Sequence, residues 1–186
     1  RLFSKIYILE GPDGVGKTTL AKKIKEIYGK KVFYMHLRVH KNMRLWHTAS
    51  ARLAIKKHKE DRLVIIDRHW PSEQCYSYIF RKEPSYDPID IYYWLKKAGT
   101  KYIWCLPSKI DQIRENHINN RQIRHEEYYN IDKVIDLYFN HWFGLKTKYC
   151  NFLASLAPLY RRPDFIRYDM LTHGKDMKQW IYEILI

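Results

Sequence analysis

A glycine-rich loop near the amino terminus constrains this chain more than any other feature. The run Gly11-Pro12-Asp13-Gly14-Val15-Gly16-Lys17-Thr18 fits the pattern G-x-x-x-x-G-K-[ST]. A β-type run at residues 6–9 leads into the loop, and a helical pattern at 18–28 follows it. A strand, a tight turn and a helix in this order point backbone N–H groups at an anion. The sequence therefore predicts a phosphate-binding unit at residues 6–28.

The chemistry of the loop predicts a nucleoside triphosphate and a metal ion. The side chain of Lys17 would reach the β- and γ-phosphates, and the Thr18 hydroxyl would ligate Mg²⁺. ATP and Mg²⁺ are thus the expected co-substrate and metal. The predicted ATP contacts are Gly11, Pro12, Asp13, Gly14, Val15, Gly16, Lys17, Thr18 and Thr19.

The rest of the chain alternates apolar β-type runs with helical patterns. The runs lie at 6–9, 32–35, 63–66, 102–106 and 165–168, and helical patterns lie at 18–28, 88–98, 131–156 and 175–185. This alternation predicts one α/β domain over 1–186, with a parallel five-stranded sheet flanked by helices and ligands bound at the carboxyl ends of the strands.

Composition excludes several other classes of protein. The 186 residues are 46% hydrophobic and contain no apolar stretch of about 18 residues, so no transmembrane helix is predicted. No signal peptide is visible, and the three scattered cysteines indicate buried thiols in a reducing compartment. We therefore expect a cytoplasmic protein, in the host cytoplasm if it is viral.

Asp67 and Arg68 end the third β-type run. A carboxylate there lies at the same edge of the sheet as the loop, so Asp67 is a candidate Mg²⁺ ligand together with Thr18. Arg68 is a candidate clamp on an acceptor phosphate.

Four segments resemble thymidylate kinases: 9–19, Asp-Arg-His-Trp-Pro-Ser at 67–72, His-Glu-Glu-Tyr-Tyr at 125–129, and 165–177. The resemblance implies a P-loop NTPase three-layer fold and an ATP-dependent phosphotransferase. It implies that Asp13 contacts the acceptor sugar, Asp67 supports the metal and Arg68 reaches the acceptor. It also implies an Arg-containing lid at about 114–128, with Arg121 and Arg124 closing over the γ-phosphate. The alternative for these arginines is a solvated helix face.

The segment after the second β-type run departs from that family. Thymidylate kinases carry Arg-Glu-Pro-Gly-Gly there, whereas this chain reads His-Leu-Arg-Val-His-Lys-Asn-Met-Arg at 36–44. Residues 22–62 hold 13 Lys and Arg against 3 acids, a surplus of 10 out of a net charge of +14. A surplus of this size favours a polymer of phosphates over a mononucleotide, so Arg38 and Arg44 are predicted acceptor contacts.

The string Asp-Arg-His-Trp-Pro-Ser-Glu at 67–73 resembles viral kinases that phosphorylate 5-hydroxymethyl-deoxyuridine within DNA. This resemblance implies that the acceptor is the hydroxymethyl group of a base in single-stranded or base-flipped DNA. His69, Trp70, Ser72 and Tyr76 are the further predicted acceptor contacts, and Trp70 and Tyr76 are either base-stacking or core aromatics. The hydroxyl proton would pass to one of four candidate bases: Asp13, Asp67, His69 or Glu73.

Two other functions stay open: a kinase for free dTMP, and a P-loop DNA-binding ATPase that transfers no phosphoryl group.

The sequence also supports two structural predictions. Met43, Trp46, Ala49 and Leu53 form an apolar stripe at helical spacing, which predicts that this stripe packs on the core. For Trp46, stacking on a base is the alternative. The aromatic segment 140–158 is predicted to form either a core helix or a homodimer face.

Overall fold

A computed structural model describes residues 5–81, 86–106, 108, 109, 111, 115, 133, 134 and 165–185. Five parallel strands form one sheet in the order β2-β3-β1-β4-β5. The strands are β1 (Ile6–Glu10), β2 (Val32–His36), β3 (Leu63–Asp67), β4 (Lys101–Cys105) and β5 (Phe165–Tyr168). The predicted α/β fold with a parallel five-stranded sheet is confirmed.

Five α-helices are described: α1 (Lys17–Tyr28), α2 (Met43–Lys59), α3 (Trp70–Arg81), α4 (Ile89–Lys97) and α5 (Met177–Leu185). Helix α1 packs against α5, and α2 packs against α4. The crossovers from β1 to β2 and from β2 to β3 run in opposite directions along the sheet, so right-handed connections place α1 and α2 on opposite faces. Among the described residues, no helix is long and apolar enough to cross a membrane.

The centre of the sheet forms the core. Every residue of β1 and β3 is buried, because both strands have a neighbour on each side and helices above and below. Strand β2 lies at an edge and is only half-buried. The carboxyl ends of β1, β2 and β3 meet at one edge of the sheet, where Leu9 and His36 both pair in register with Asp67.

Helix α2 forms, but the predicted buried stripe is wrong. Its buried residues are His47, Ser50, Ala51 and Ala54, whereas Trp46 and Leu53 are each 39% exposed. Three of these four buried residues, Ser50, Ala51 and Ala54, are small, which lets the helix approach β1 and β3 closely. The large apolar residues at helical spacing therefore lie on the outer side of α2 and not on the side that packs on the sheet.

Two other predictions fall mainly outside the described residues. These are the lid at about 114–128 and the helix at 131–156 with its aromatic segment 140–158. Both stay predictions.

Candidate functional site

The loop between β1 and α1 requires glycine at two positions. Gly11 has φ of 141°, and a Cβ there would collide with the carbonyl oxygen of Cys105. Gly16 caps α1 in the left-handed region with φ of 83°, and a Cβ there would lie 3.4 Å from Met170 Cβ. A side chain at either position would displace backbone or strain the turn. The glycines thus allow the loop to pass close to β4 and to the turn after β5.

Lys17, the first residue of α1, folds back over the loop. Its Nζ donates hydrogen bonds to the carbonyl oxygens of Gly11, at 2.9 Å, and Pro12. Burial lowers the pKa of Lys17 to about 8, with a further lowering from Arg68 that the carboxylates of Asp13 and Asp67 oppose. The ammonium therefore remains mostly protonated at pH 7, where it can exchange the carbonyl oxygens for phosphate oxygens.

Asp67 is fully buried at the end of β3, and its hydrogen bonds reach only one of its two carboxylate oxygens in the described part of the chain. Its Oδ2 accepts hydrogen bonds from the Thr18 hydroxyl at 3.0 Å and the Tyr34 hydroxyl at 3.2 Å, and it lies 3.1 Å from His36 Nδ1. Burial, together with the charge of Asp67, raises the pKa of Tyr34. Within the described part of the chain, Asp67 Oδ1 is buried and has no hydrogen-bond partner.

These oxygens fit Mg²⁺. Mg²⁺ prefers hard oxygen ligands and usually binds one or two protein groups, with the remaining positions taken by water and phosphate. The hydroxyl of Thr18 and the unpartnered Oδ1 of Asp67 supply such oxygens. No group of three or more His, Cys, Asp or Glu that could hold a metal ion occurs among the described residues.

Arg68 is held in a strained backbone conformation directly after Asp67. Its φ is 71°, which costs a non-glycine residue on the order of 1–3 kcal/mol, and its N–H donates to the Leu9 carbonyl at 3.0 Å. The guanidinium pairs with Asp13, donates to the Ser72 hydroxyl at 3.4 Å and lies 5.1 Å above the centre of the Tyr76 ring. Three contacts thus fix the direction of this cation.

Glu10 stabilises the same turn and is not among the site residues predicted from the sequence. Its carboxylate is fully buried and accepts hydrogen bonds from the His69 N–H at 2.7 Å and the Ser72 hydroxyl at 2.6 Å. Burial raises its pKa to about 7, although the Ser72 hydrogen bond and Arg68 oppose the rise. A glutamate that ends an apolar β-type run directly before the loop was the signal that could have found it.

Two cavities meet at this edge of the sheet. The larger one, which we call the loop pocket, has a volume of about 750 Å³. The second, which we call the histidine pocket, has a volume of about 400 Å³. The loop pocket is lined by Asp13, Gly14, Val15, Gly16, Lys17, Thr18, Thr19, Tyr34, His36, Arg38, Asp67, Arg68 and Met170. The histidine pocket is lined by Asp13, His36, Leu37, Arg38, Val39, Met43, His47, Arg68, His69, Ser72, Glu73 and Tyr76.

Four residues line both pockets: Asp13, His36, Arg38 and Arg68. Among the residues that the structure describes, Asp13 is the one carboxylate shared by the two linings. A molecule in the histidine pocket would therefore face a ligand of the loop pocket across the Asp13–Arg68 pair.

The histidine pocket takes its name from two buried rings. The rings of His47 and His69 lie 4.7 Å apart, His69 Nε2 is 3.0 Å from the Ser50 hydroxyl, and His47 Nδ1 contacts the Tyr86 hydroxyl. Burial lowers the pKa of His47 to about 3 and that of His69 well below its ordinary value. Both rings are therefore neutral at pH 7 and bind protons weakly.

The structure places the predicted acceptor contacts in three settings: the histidine pocket, a neighbouring cleft and, for Trp70, the core. Arg38, His69, Ser72 and Tyr76 all line the histidine pocket. Arg44 does not; it lies 66% exposed on a neighbouring cleft, 3.9 Å from Asp90.

Trp70 is a correction to the predicted acceptor contacts. It is 1% exposed, packs edge-on against Tyr92 and Tyr102, and donates from Nε1 to the Tyr102 hydroxyl at 3.0 Å. Trp70 lines neither pocket, so of the two roles left open it has the core role. Trp70 is the first residue of α3, and its indole packs toward α4 and β4, which carry Tyr92 and Tyr102.

Arg121 and Arg124, predicted to close over the γ-phosphate, lie outside the described residues. Their role stays a prediction. Glu73, a candidate base, lines the histidine pocket, is buried and is paired with Arg81.

Comparison with known proteins relates this chain to others by structure. No protein-family model and no curated protein sequence matches it. The chain is similar to the crystal structure of the YorR protein from Bacillus subtilis in complex with phosphorylated GDP, with a TM-score of 0.63, 20% sequence identity, and coverage of 96% of this chain and 95% of that one. It is also similar to deoxyadenosine kinase from M. mycoides with bound dCTP, with a TM-score of 0.50, 14% identity, and coverage of 97% and 98%. The likeness establishes the P-loop NTPase α/β fold.

Proposed function

We propose that this chain is a kinase that transfers the γ-phosphoryl group of ATP to a thymidine-type acceptor. The observation that carries the proposal is the pair of adjoining pockets, one built on the phosphate loop and the other beyond the shared Asp13–Arg68 pair. An ATPase needs a water beside the γ-phosphate, whereas a kinase needs a second ligand site there. The two structural neighbours, one with a phosphorylated GDP and one with dCTP, support a nucleotide as ligand of this fold.

Lys17 and the loop would hold the triphosphate. The Lys17 ammonium releases the carbonyl oxygens of Gly11 and Pro12 and binds phosphate oxygens, where it offsets the charge that develops during transfer. Thr18 and Asp67 would hold Mg²⁺, which supplies charge neutralisation on the phosphates. Arg68, fixed at three points, contributes a second positive charge from the acceptor side.

The acceptor hydroxyl needs a group that takes its proton. Its oxygen attacks the γ-phosphorus, the bond from that phosphorus to the β,γ-bridging oxygen breaks, and ADP leaves with the bonding pair. Asp13 is the best placed of the four candidate bases, because its carboxylate lines both pockets. Asp67 lines only the loop pocket, Glu73 lines only the histidine pocket, and burial makes His69 a weak base.

The favoured acceptor is the 5-hydroxymethyl group of 5-hydroxymethyl-deoxyuridine in DNA. Two features support a polymer: the basic segment that leads from β2 into the histidine pocket, and the string at 67–73. The volume of about 400 Å³ suits one nucleoside, which would enter from single-stranded DNA or after base flipping.

Free dTMP is the second candidate acceptor. Arg38 and Arg68 both line the histidine pocket, and two cations are enough for one phosphate monoester.

One labelling experiment separates these functions. The protein is incubated with γ-labelled ATP and Mg²⁺, and with dTMP, thymidine, or DNA that contains 5-hydroxymethyluracil. Label in the modified DNA and not in matched thymine DNA is the expected result. Rapid labelling of dTMP alone would replace the favoured acceptor with the second one, and release of inorganic phosphate without transfer to any acceptor would refute the kinase.

A further inference from the structure

A third cavity adjoins the histidine pocket. Its volume is about 470 Å³, and we call it the basic cleft. It is lined by Val39, His40, Lys41, Asn42, Met43, Arg44 and Arg81. Val39 and Met43 also line the histidine pocket, and Arg81 pairs with Glu73, a residue of that pocket. The three cavities thus form a series: loop pocket, histidine pocket, basic cleft.

The charge of the cleft identifies an anion as its ligand. Of the described residues that line the cleft, three are cations and none is acidic. Two of the cations, Arg44 and Arg81, have their carboxylate partners outside the lining, on Asp90 and Glu73. The side chain of Arg44 is 66% exposed, so a phosphate can reach it without displacing packed side chains.

An aromatic surface stands at the rim of the cleft. The rings of His40 and Trp46 stack at 5.5 Å with an interplanar angle of 21°, and Trp46 is 39% exposed. Val39 beside them is 83% exposed. Cations beside an exposed aromatic face are the combination that single-stranded nucleic acids bind, since the phosphates meet the cations and a base stacks on the ring.

The segment that carries these groups has a defined conformation. The Asn42 side chain caps α2 by accepting the Leu45 N–H at 3.0 Å, and the Asn42 N–H donates to His40 Nδ1 at 3.1 Å. The His40 N–H donates to the Met43 sulfur at 3.0 Å. These local hydrogen bonds hold the His40 ring and the backbone that carries the cations in place before a ligand arrives, which lowers the entropic cost of binding.

We propose that the basic cleft binds the nucleotide next to the acceptor in a single strand, its phosphate on Lys41 and Arg44 and its base against the His40–Trp46 stack. This inference rests on the proposed function, because it assumes that the acceptor nucleoside occupies the histidine pocket. A mononucleotide acceptor would fill the histidine pocket and leave the cleft without a ligand. A cleft of this volume accommodates one further nucleotide.

The test compares the double variant Lys41→Ala/Arg44→Ala with a matched control, Lys22→Ala/Lys25→Ala. The control removes the same charge from exposed positions of α1, on the opposite face of the sheet. Two readouts are measured for both variants and the wild type. The first is the affinity for a fluorescent single-stranded oligonucleotide, by anisotropy at several salt concentrations without ATP. The second is kcat/KM for 5-hydroxymethyl-deoxyuridine, free and within that oligonucleotide.

The cleft variant is expected to lose roughly tenfold in oligonucleotide affinity and to flatten the slope of log K against log salt by about 0.7, since Lys41 and Arg44 together neutralise one phosphate of the strand. Its kcat/KM is expected to fall for the oligonucleotide and to stay within about twofold for the free nucleoside. Equal losses in the control variant, or equal losses for both acceptors, would overturn the inference. Phosphorylation of no acceptor by the wild type would refute the proposed function instead, and the anisotropy measurement would still decide whether the cleft binds a strand.

Trp46→Ala tests the aromatic part separately. We expect it to weaken oligonucleotide binding by a similar factor with an unchanged salt slope, because it removes stacking and no charge. A flattened slope, or unchanged affinity, would show that the His40–Trp46 stack does not take a base.

Discussion

Replacing Glu10 by glutamine should make the ligand-free protein more stable at neutral pH. The buried carboxylate has its pKa raised from 4.5 to about 7, so between these values the folded chain binds more protons than the unfolded chain. The free energy of unfolding therefore falls as pH rises from about 4.5 to 7. At about 1.4 kcal/mol per pH unit, the contribution of Glu10 to this fall is on the order of 3 kcal/mol.

A glutamine keeps the geometry and removes the charge. Its amide oxygen can accept the His69 N–H, and its NH₂ can donate to the Ser72 hydroxyl oxygen, which then turns its proton elsewhere. At pH 4.5 Glu10 is itself protonated, so the Glu10→Gln variant and the wild type should agree within about 1 kcal/mol. Above pH 7 the variant should be more stable by 2 kcal/mol or more, on the order of the linkage contribution.

Urea unfolding followed by tryptophan fluorescence at pH 4.5 to 8 measures this difference. Subtracting the two curves cancels the opposite contribution of His47 and His69, whose lowered pKa values make stability rise with pH below about 6.5. The exposed Glu26→Gln reports the cost of the same chemical change at a surface site. If the difference between Glu10→Gln and wild type stayed constant across this pH range, burial would not control the titration of Glu10 and the reasoning would be refuted.

Three further predictions concern the loop pocket. Lys17→Met should lower kcat with every acceptor at least a hundredfold, as an electrostatic contact to the transferring group requires, and near-normal turnover would refute the assignment of the loop. Asp67→Asn should raise the Mg²⁺ concentration needed for half-maximal activity in a metal titration, whereas an unchanged requirement would remove Asp67 from the metal site. Gly11→Ala should lower the urea midpoint, because the new Cβ meets the Cys105 carbonyl at a φ of 141°; wild-type stability would show that β4 can move away at low cost.

The sequence was enough to predict the sheet, the loop and the placement of Asp67 and Arg68. These features rest on local signals: apolar runs for the strands, and a strand–glycine–helix pattern that has few folded solutions. The roles of Trp46 and Trp70 could not be predicted in the same way. The side of α2 that faces the sheet is the one on which most side chains are small, because small side chains let the helix approach the strands closely.

Glu10 and the basic cleft depend on tertiary structure. The partners of Glu10, His69 and Ser72, are about sixty positions away in the chain, so nothing in the local sequence shows that its carboxylate holds the turn at Arg68. The charge surplus of residues 22–62 was visible, but only the fold shows that Lys41 and Arg44 border a cleft while Lys22 and Lys25 lie on the opposite face.

The Asp13–Arg68 pair lines both the loop pocket and the histidine pocket, so binding in one pocket is not independent of binding in the other. The Arg68 guanidinium contacts Asp13, Ser72 and Tyr76. Because Arg68 and Asp13 line both pockets, a ligand in one pocket changes the electrostatic field and the side-chain mobility that a ligand in the other pocket meets. Thermodynamic reciprocity then requires that whatever the nucleotide does to acceptor affinity, the acceptor does to nucleotide affinity by the same factor. Arg68 pairs with Asp13 and lines both pockets, so its side chain is the one through which that coupling would act.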